Sequence, residues 1–422
     1  RAKKALRRNR ALFTTAALVL VTLLAGTAVS VWQAIEANRA QQQVQASNAL
    51  ARRAVDEMYT QFAERWLSEE GNASETQREF LEKAMAFYEA EAAKSSDDPA
   101  IELERLRAKQ RVHAMQLKLG QQDQAEEGFR ELARLSRSQS KATPEGSEFA
   151  VIEIDALQNL GFLQMQKGSA DKANAFYDEA TVLSRALAKA KTLDEKNQAH
   201  LASMCASIGA HLQKLNRREQ AEQILQISIR LWRELQESSP QKWKYQLGYA
   251  DALEAQGLQR MWFGDRREEA KESFEQSKDL LLALLKDHPN DRSCRHKLAD
   301  VYLSLGVLAS WDTNIKQAID FNRQGVAIAR QLASEYPTDQ YILSTLTRLL
   351  ANLSGDLLAS GEDEDASVVL EEYFANADRL SARFPTVQNY LELLASASYA
   401  KIWNLFDQGE LPAAIDVATN LR

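Results

Sequence analysis

Small and apolar residues return along this chain with a period of about 48 residues. A glycine inside an apolar stretch recurs at spacings of 48, 48, 49 and 49, at Gly161, Gly209, Gly257, Gly306 and Gly355. Prolines repeat independently at spacings of 49, 48 and 48, at Pro240, Pro289, Pro337 and Pro385. Because two unrelated residue types keep one period, the pattern predicts a tandem array of a single structural unit.

Each unit is predicted to be a pair of helices. Around Gly161, apolar residues recur until the break Lys167-Gly168-Ser169. Asp171 then opens a second helix, whose apolar residues return at steps of three and four. A glycine after a helix end and an acidic residue in a first turn are both favourable there. Equivalent breaks occur at Asn216-Arg217, Gly264-Asp265 and Gly361-Glu362.

Two helices approach to about 8–10 Å only where small residues lie at their crossing. Gly161 and Ala173 are placed for that contact, and Trp and Tyr residues that follow the repeat are interpreted as core. One hairpin leaves an apolar face uncovered, so neighbouring hairpins must stack. The predicted fold class is therefore all-α, a right-handed superhelical solenoid of stacked helical hairpins with one N-terminal transmembrane helix.

The units resemble tetratricopeptide repeats. That family has Gly or Ala in the first helix, Ala twelve residues later, an aromatic residue at sixteen and Ala at nineteen. Gly161, Ala173, Tyr177 and Ala180 match all four positions. Other units match in part, at Gly209, Ala221, Gly257, Ala270, Phe274, Gly306, Ala318, Gly355 and Ala366.

The resemblance implies about seven hairpins over residues 71–422, the last one truncated. The Gly257 unit is one residue longer and the Gly355 unit one residue shorter, and an earlier unit has His113 where glycine is expected. Since the period exceeds the family's usual thirty-four residues, we expect longer helices.

The first seventy residues follow another pattern. Residues 1–11 form a basic flank, 12–32 a predicted transmembrane helix and 33–70 a stalk helix. Leu12 to Val31 carry no charge, and twenty helical residues cover about 30 Å of hydrocarbon. The basic flank predicts a cytoplasmic N-terminus and extracytoplasmic repeats. A cleaved signal peptide and a buried core helix stay open as alternatives.

Thr22, Gly26 and Ser30 lie four residues apart in that segment, a spacing that suggests self-association through the span.

The composition of the chain agrees with a helical fold, because the 422 residues include only 16 Gly and 7 Pro. The net charge is −7 although six of the first ten residues are basic, so the remainder is acidic. An acidic body is a poor phosphate binder, and nucleic acid is excluded as a partner.

No catalytic, cofactor or metal residue is predicted in this chain. Cys205 and Cys294 form no CxxC pair and are interpreted as buried side chains. The acidic run from Glu362 to Asp365 suits the start of a second helix better than a cation site. Protein or peptide partners are expected on polar first-helix residues outside the apolar stripe, with the candidates Gln158, Gln164, Gln213 and Gln259.

The layout also resembles the C-terminal half of certain bacterial eukaryotic-type Ser/Thr protein kinases. The stretches RAKKALRRNRAL, WQAIEANRAQQQ, ALARRAVDEMY and FLEKAMAFYEA carry that resemblance. It implies the tethered sensor or scaffold tail of a kinase, with ATP and Mg only if a kinase domain lies upstream. Because the first residue is Arg, we expect a longer chain. The Gly-rich loop, HRD and DFG motifs are absent here, so no kinase residue is transferred. A stand-alone membrane-anchored adaptor and a helical-repeat hydrolase or lyase are the alternatives.

Overall fold

The computed structural model describes residues 26–27, 29–39, 47, 75–93, 98–141, 146–262, 266–385 and 387–419. The chain divides into two compact units, Arg1–Glu64 and Arg65–Arg422. In the first unit residues 29–39 are helical. In the second unit all regular structure within the described ranges is α-helical.

The prediction of a membrane span is contradicted. Among the residues that the structure describes, no helix is both long enough and apolar enough to cross a bilayer. The helix over 29–39 contains Glu36 and Arg39, which oppose burial in hydrocarbon. Most of 12–32, the flank 1–11 and most of the stalk 33–70 lie outside the described residues. The same finding contradicts the predicted single-pass location with extracytoplasmic repeats, and self-association through the span is unsupported.

Among the described residues of the second unit, the first helix is α1 (Glu75–Ala92), and the fourteen helices that follow it there pair consecutively as hairpins. The first helices of the hairpins are α2 (Pro99–Lys118), α4 (Gly146–Gln166), α6 (Glu195–Lys214), α8 (Trp243–Trp262), α10 (Arg292–Trp311), α12 (Gln340–Ser360) and α14 (Gln388–Asp407). The second helices are α3 (Gln122–Ser140), α5 (Ala170–Ala190), α7 (Arg218–Ser238), α9 (Arg267–Asp287), α11 (Ile315–Glu335), α13 (Asp363–Arg383) and α15 (Leu411–Thr419).

Consecutive helices pack along the whole series, and each first helix from α2 to α12 also contacts the first helix of the next hairpin. This arrangement is an all-α helical-repeat solenoid, and that part of the predicted fold class is confirmed. The right-handed superhelix stays a prediction.

Local signals at both ends of the first helices recur with the repeat. Aspartate carboxylates cap four of them by accepting hydrogen bonds from backbone N–H groups, at Asp98, Asp194, Asp291 and Asp339. The turn into the second helix needs a residue with positive φ, which glycine adopts without steric cost. Within these turns the described residues with positive φ are Gly120, Gly168, Asn216, Thr313, Gly361 and Gly409.

The crossing of the two helices in a hairpin depends on a glycine facing a large side chain. A Cβ atom on Gly161 would lie 2.6 Å from the ring of Tyr177, which is fully buried. The same relation holds for Gly209 with Leu225, Gly257 with Phe274 and Gly306 with Asn322, at 2.6, 2.5 and 2.4 Å. The predicted alanine positions Ala173, Ala180, Ala221, Ala270, Ala318 and Ala366 are all fully buried.

The α2/α3 hairpin meets the same constraint from the opposite helix. His113 occupies the place of the glycine, and its ring packs edge-on against Phe129 with 5.7 Å between centroids. A Cβ atom on Gly128 would lie 2.1 Å from the His113 ring. The glycine of this hairpin therefore lies on the facing helix α3, which explains why the sequence departs from the pattern here.

Gly355 does not lie at a crossing. It is exposed, and no heavy atom outside its local helix backbone lies within 4 Å of the position that its Cβ would take. Its neighbour Ser354 is only 3% exposed and precedes Ala366 by twelve residues, the spacing found from Gly161 to Ala173. The buried small residue of this unit is therefore Ser354, and the unit is not shortened.

Alanine at two glycines tests the crossing constraint. Gly161→Ala should lower the free energy of unfolding by about 1–3 kcal/mol, because the buried Tyr177 ring must move. Gly355→Ala should raise it by about 0.5–1 kcal/mol, because alanine favours helix and meets nothing. Urea denaturation followed by circular dichroism measures both. A shift of the same sign in the two variants would refute this account of the crossing.

Candidate protein-binding face

One side of the first helices stays partly exposed along the solenoid, and its C-terminal residues Gln166, Lys214, Trp262 and Trp311 are exposed. In α6 the exposed positions are Lys196, His200, Ser203 and Lys214, while Leu201, Cys205 and Leu212 on other sides are buried. We define the first-helix face as this exposed side of α4, α6, α8, α10, α12 and α14. On this face, residues of the first helices in successive hairpins can meet one common ligand.

A ladder of aspartates links neighbouring hairpins along this face. Each aspartate lies six residues before a crossing glycine and contacts the next first helix 45 or 46 residues later. Asp155 Oδ1 is 3.6 Å from His200 Nε2, and Asp300 Oδ1 accepts a hydrogen bond of 2.8 Å from the Thr345 hydroxyl. Asp251 forms a close ion pair with Lys297. The ladder holds the first helices in register.

The densest part of the ladder lies between α8 and α10. Glu254 is buried, and its carboxylate is 3.6 Å from the Lys297 ammonium that Asp251 also contacts. Burial raises the pKa of Glu254 to about 8, and Lys297 opposes that rise. Burial acts to lower the pKa of Lys297, but Glu254, Asp251 and Asp300 outweigh it and the pKa is raised. Lys297 is therefore a fixed cation shared by carboxylates of its own and the preceding helix.

Two of the predicted binding residues bridge first helices. Gln158 donates a hydrogen bond of 2.9 Å from Nε2 to the Ser207 hydroxyl, and Gln213 donates one of 3.4 Å to the Leu258 carbonyl. Both are half-buried. They lie at the edge of the first-helix face, where their amides join adjacent hairpins.

The other two predicted binding residues point into the stack. Gln164 is buried and donates to Glu126 Oε1 at 3.0 Å, and Gln259 is buried and donates to the Arg218 carbonyl at 3.3 Å. Each bonds to the second helix of the preceding hairpin. A polar residue in a first helix is therefore not necessarily exposed for binding, because a buried amide can satisfy its hydrogen bonds inside the solenoid.

Exposed aromatic residues were missed by the sequence analysis, which interpreted Trp and Tyr as core. Trp262 and Trp311 end α8 and α10 and are 57% and 38% exposed. Their rings meet edge to face with 5.4 Å between centroids. The Arg267 guanidinium lies 5.6 Å from the Trp311 ring and 3.3 Å from Asp312. Their place in the repeat distinguishes these two tryptophans in the sequence, because both follow their crossing glycine by five residues.

Neither cysteine has the properties of a reactive thiol. Cys205 and Cys294 are free and buried. Burial raises the pKa of both thiols to about 12, so the thiolate form is suppressed. Within the described ranges, no group of three His, Cys, Asp or Glu side chains is arranged to hold a metal ion.

The fold is that of a tetratricopeptide-like helical-repeat protein. No family model matches the sequence, and no curated protein matches it either. The apo form of RapI is similar in structure, with a TM-score of 0.51, 14% identity, and coverage of 88% of this chain and 97% of that chain.

Two other solved structures show a looser likeness. A tetratricopeptide repeat protein from Parabacteroides merdae has a TM-score of 0.34 and 15% identity, with 82% of this chain and 98% of that chain covered. Aspartyl phosphate phosphatase F from Bacillus subtilis has a TM-score of 0.46 and 9% identity, with 87% and 91% covered. At these identities the likeness concerns the fold alone.

The ion cluster between α8 and α10 makes a pH-dependent prediction. Lys297→Met should lower the free energy of unfolding by about 1–3 kcal/mol, between the values for exposed and buried pairs. The pKa of Glu254 lies above its usual 4.5, so its burial destabilises the fold increasingly as pH rises toward about 8. Without the Lys297 cation, the charged form of the Glu254 carboxyl is less stable in the fold. The decrease in the free energy of unfolding caused by Lys297→Met should therefore be larger at about pH 8.5 than at about pH 6.

Urea denaturation at the two pH values measures this effect. Glu254→Gln in the Lys297→Met background is the control, because it removes the titrating carboxyl and should abolish the extra loss at high pH. An equal loss at both pH values in Lys297→Met would contradict the proposed coupling.

Proposed function

We propose that this chain is a protein-interaction module that binds partner proteins or peptides through its first-helix face. The Trp262–Trp311 pair carries the proposal and serves as the anchor of the binding site. Two large aromatic rings, exposed side by side on consecutive repeats, fit the composition of interaction hot spots, in which tryptophan is enriched.

Packing of the solenoid does not require tryptophan at these positions. The residues at the same place in other hairpins are Gln166, Lys214 and Ala359, and all three are exposed. Polar or small side chains therefore suffice for the stack. The two tryptophans leave apolar surface in water, which favours a role in binding over a role in folding.

Arg267 supports the same interpretation. Its guanidinium stacks on Trp311 and pairs with Asp312, so the anchor has a cation and an anion within reach of its apolar rings. A partner segment with one apolar side chain and a flanking polar group would complement this arrangement.

The kinase-tail hypothesis stays a prediction. HRD and DFG motifs at kinase spacing in the coding sequence upstream of Arg1 would support it, and their absence would remove it. The helical-repeat enzyme is not favoured, because the carboxylates clustered on the first-helix face contact Lys297 and Thr345 of the solenoid.

Photo-crosslinking tests the proposed face. With a photoreactive phenylalanine in place of Trp311, we expect crosslinks to a defined set of cell proteins. The same substitution at Val182, exposed on the second helix α5, is the matched control and should give none of them. The crosslinks from position 311 should be lost on adding Trp262→Ala, because the anchor needs both rings.

Circular dichroism confirms that each variant is folded. Equal crosslinking from positions 182 and 311, or crosslinks that persist in the Trp262→Ala background, would argue against the anchor.

A further inference from the structure

The last complete first helix carries an aromatic stripe of its own. Tyr399, Trp403 and Phe406 on α14 are 64%, 49% and 54% exposed. Their spacing of four and three places them on one side of the helix. The rings touch in sequence, edge to face, with centroid distances of 6.1 Å and 5.7 Å. We call these three residues the aromatic stripe.

The stripe lies on the side of α14 where earlier first helices contact the next hairpin. The residues 48 positions earlier are Ala351, Gly355 and Leu358 of α12, which lies inside the stack. Gly355 and Leu358 are exposed there, and Ala351 is half-buried. A further 48 positions earlier, in α10, Leu303 is buried in a cluster with residues of α12, and Ser310 donates a hydrogen bond of 2.7 Å to Asp356 of α12. The stripe therefore lies on the side where one first helix contacts the next.

Leu391, elsewhere on α14, behaves in the same way. It is 47% exposed, whereas Leu343, 48 residues earlier in α12, is buried. In earlier hairpins a helix of the following hairpin covers such positions, so the side of α14 that carries the stripe has the geometry to pack against a helix.

Charge around the stripe is strongly one-sided. Residues 361–420 contain eleven acidic and three basic residues, a net charge of −8 against −7 for the whole chain. Glu392, Asp407, Glu410 and Asp416 are exposed on α14, the following turn and α15. An apolar stripe inside an acidic field is complementary to an apolar surface flanked by cations.

The single cation of α14 does not disturb this field. Lys401 forms a salt bridge of 2.7 Å with Glu371 and lies 4.6 Å from the centre of the Phe374 ring. Its side chain is therefore neutralised and held against the second helix α13. A cationic partner would meet unopposed carboxylates next to the stripe.

We infer that the aromatic stripe is a docking surface for a basic amphipathic helix of a partner protein; this inference rests on the proposed interaction function. Positions i, i+4 and i+7 cover about 10 Å of helix axis, or two turns. A partner helix with apolar residues at the same spacing lays its apolar side on the stripe. Its Lys and Arg residues then face Glu392, Asp407 and Glu410.

The same charges argue against two other occupants. A second copy of this chain would bring the same exposed carboxylates, Glu392, Asp407 and Glu410, to the contact. An anionic membrane surface would be repelled for the same reason.

A synthetic peptide tests the inference. The probe is a helix-forming peptide of about 18 residues built from Lys and Leu, with Leu at i, i+3, i+4 and i+7. Its matched control has the same composition in scrambled order. Isothermal titration calorimetry should detect the amphipathic peptide binding to the full chain, and the scrambled peptide at least about tenfold more weakly.

Variants then assign the site. Trp403→Ala with Tyr399→Ala should weaken binding about tenfold or more, and Asp407→Lys with Glu410→Lys should weaken it and flatten its salt dependence. The control Val368→Ala removes an exposed apolar residue of α13 and should leave binding unchanged. Circular dichroism must show native helix content in every variant.

Three outcomes would overturn the inference: equal binding of the scrambled peptide, no effect of the stripe variants, or no binding at all. Stripe-dependent dimerisation in analytical ultracentrifugation would assign the surface to a second copy instead, and stripe-dependent binding to anionic vesicles would assign it to a membrane. Trp262→Ala with Trp311→Ala separates the two proposals, because it should leave peptide binding unchanged. If the peptide fails while crosslinking at position 311 succeeds, only this inference falls.

Discussion

The close crossing of two helices within each hairpin is the constraint on which the solenoid depends. A large side chain, such as Tyr177 or Phe274, occupies the volume that a Cβ on Gly161 or Gly257 would need. Interiors at crystal-like packing density leave no room for both. The constraint concerns volume and not which helix supplies the glycine. Hence His113 is tolerated in a first helix once Gly128 supplies the space.

Between hairpins, polar contacts fix the relative position of helices that apolar packing holds together. Asp251 and Asp300 each reach the next first helix, and Asn322 at a crossing donates to Asp356 with a distance of 2.8 Å. Burial raises the pKa of Asp356, and the hydrogen bonds from Ser310 and Asn322 counter that rise. Directional bonds of this kind define one relative position, whereas apolar surfaces tolerate sliding. The spacing of side chains on the first-helix face follows from them.

The repeat period and the hairpin were predictable from sequence, because each crossing marks the chain with a small residue at a constant interval. The role of an individual residue was less predictable. Gly355 and Gly161 are both glycines in first helices, but Gly355 is exposed to solvent and its neighbour Ser354 is buried instead. Gln164 was expected at the surface because it is polar, yet Glu126 of the preceding hairpin satisfies its amide inside the stack. Such partners lie 38 residues away, and no local pattern reveals them.

Functional positions in this chain are therefore better sought where the repeat changes without a packing reason. Buried positions repeat because stacking imposes the same volume on every hairpin. Exposed positions at the ends of the first helices are free of that demand, so Lys214 can be followed 48 residues later by Trp262. The exposed ring of Trp262 gains less from burial than a core residue does. In the proposed function, a partner protein supplies the contact that the solenoid does not.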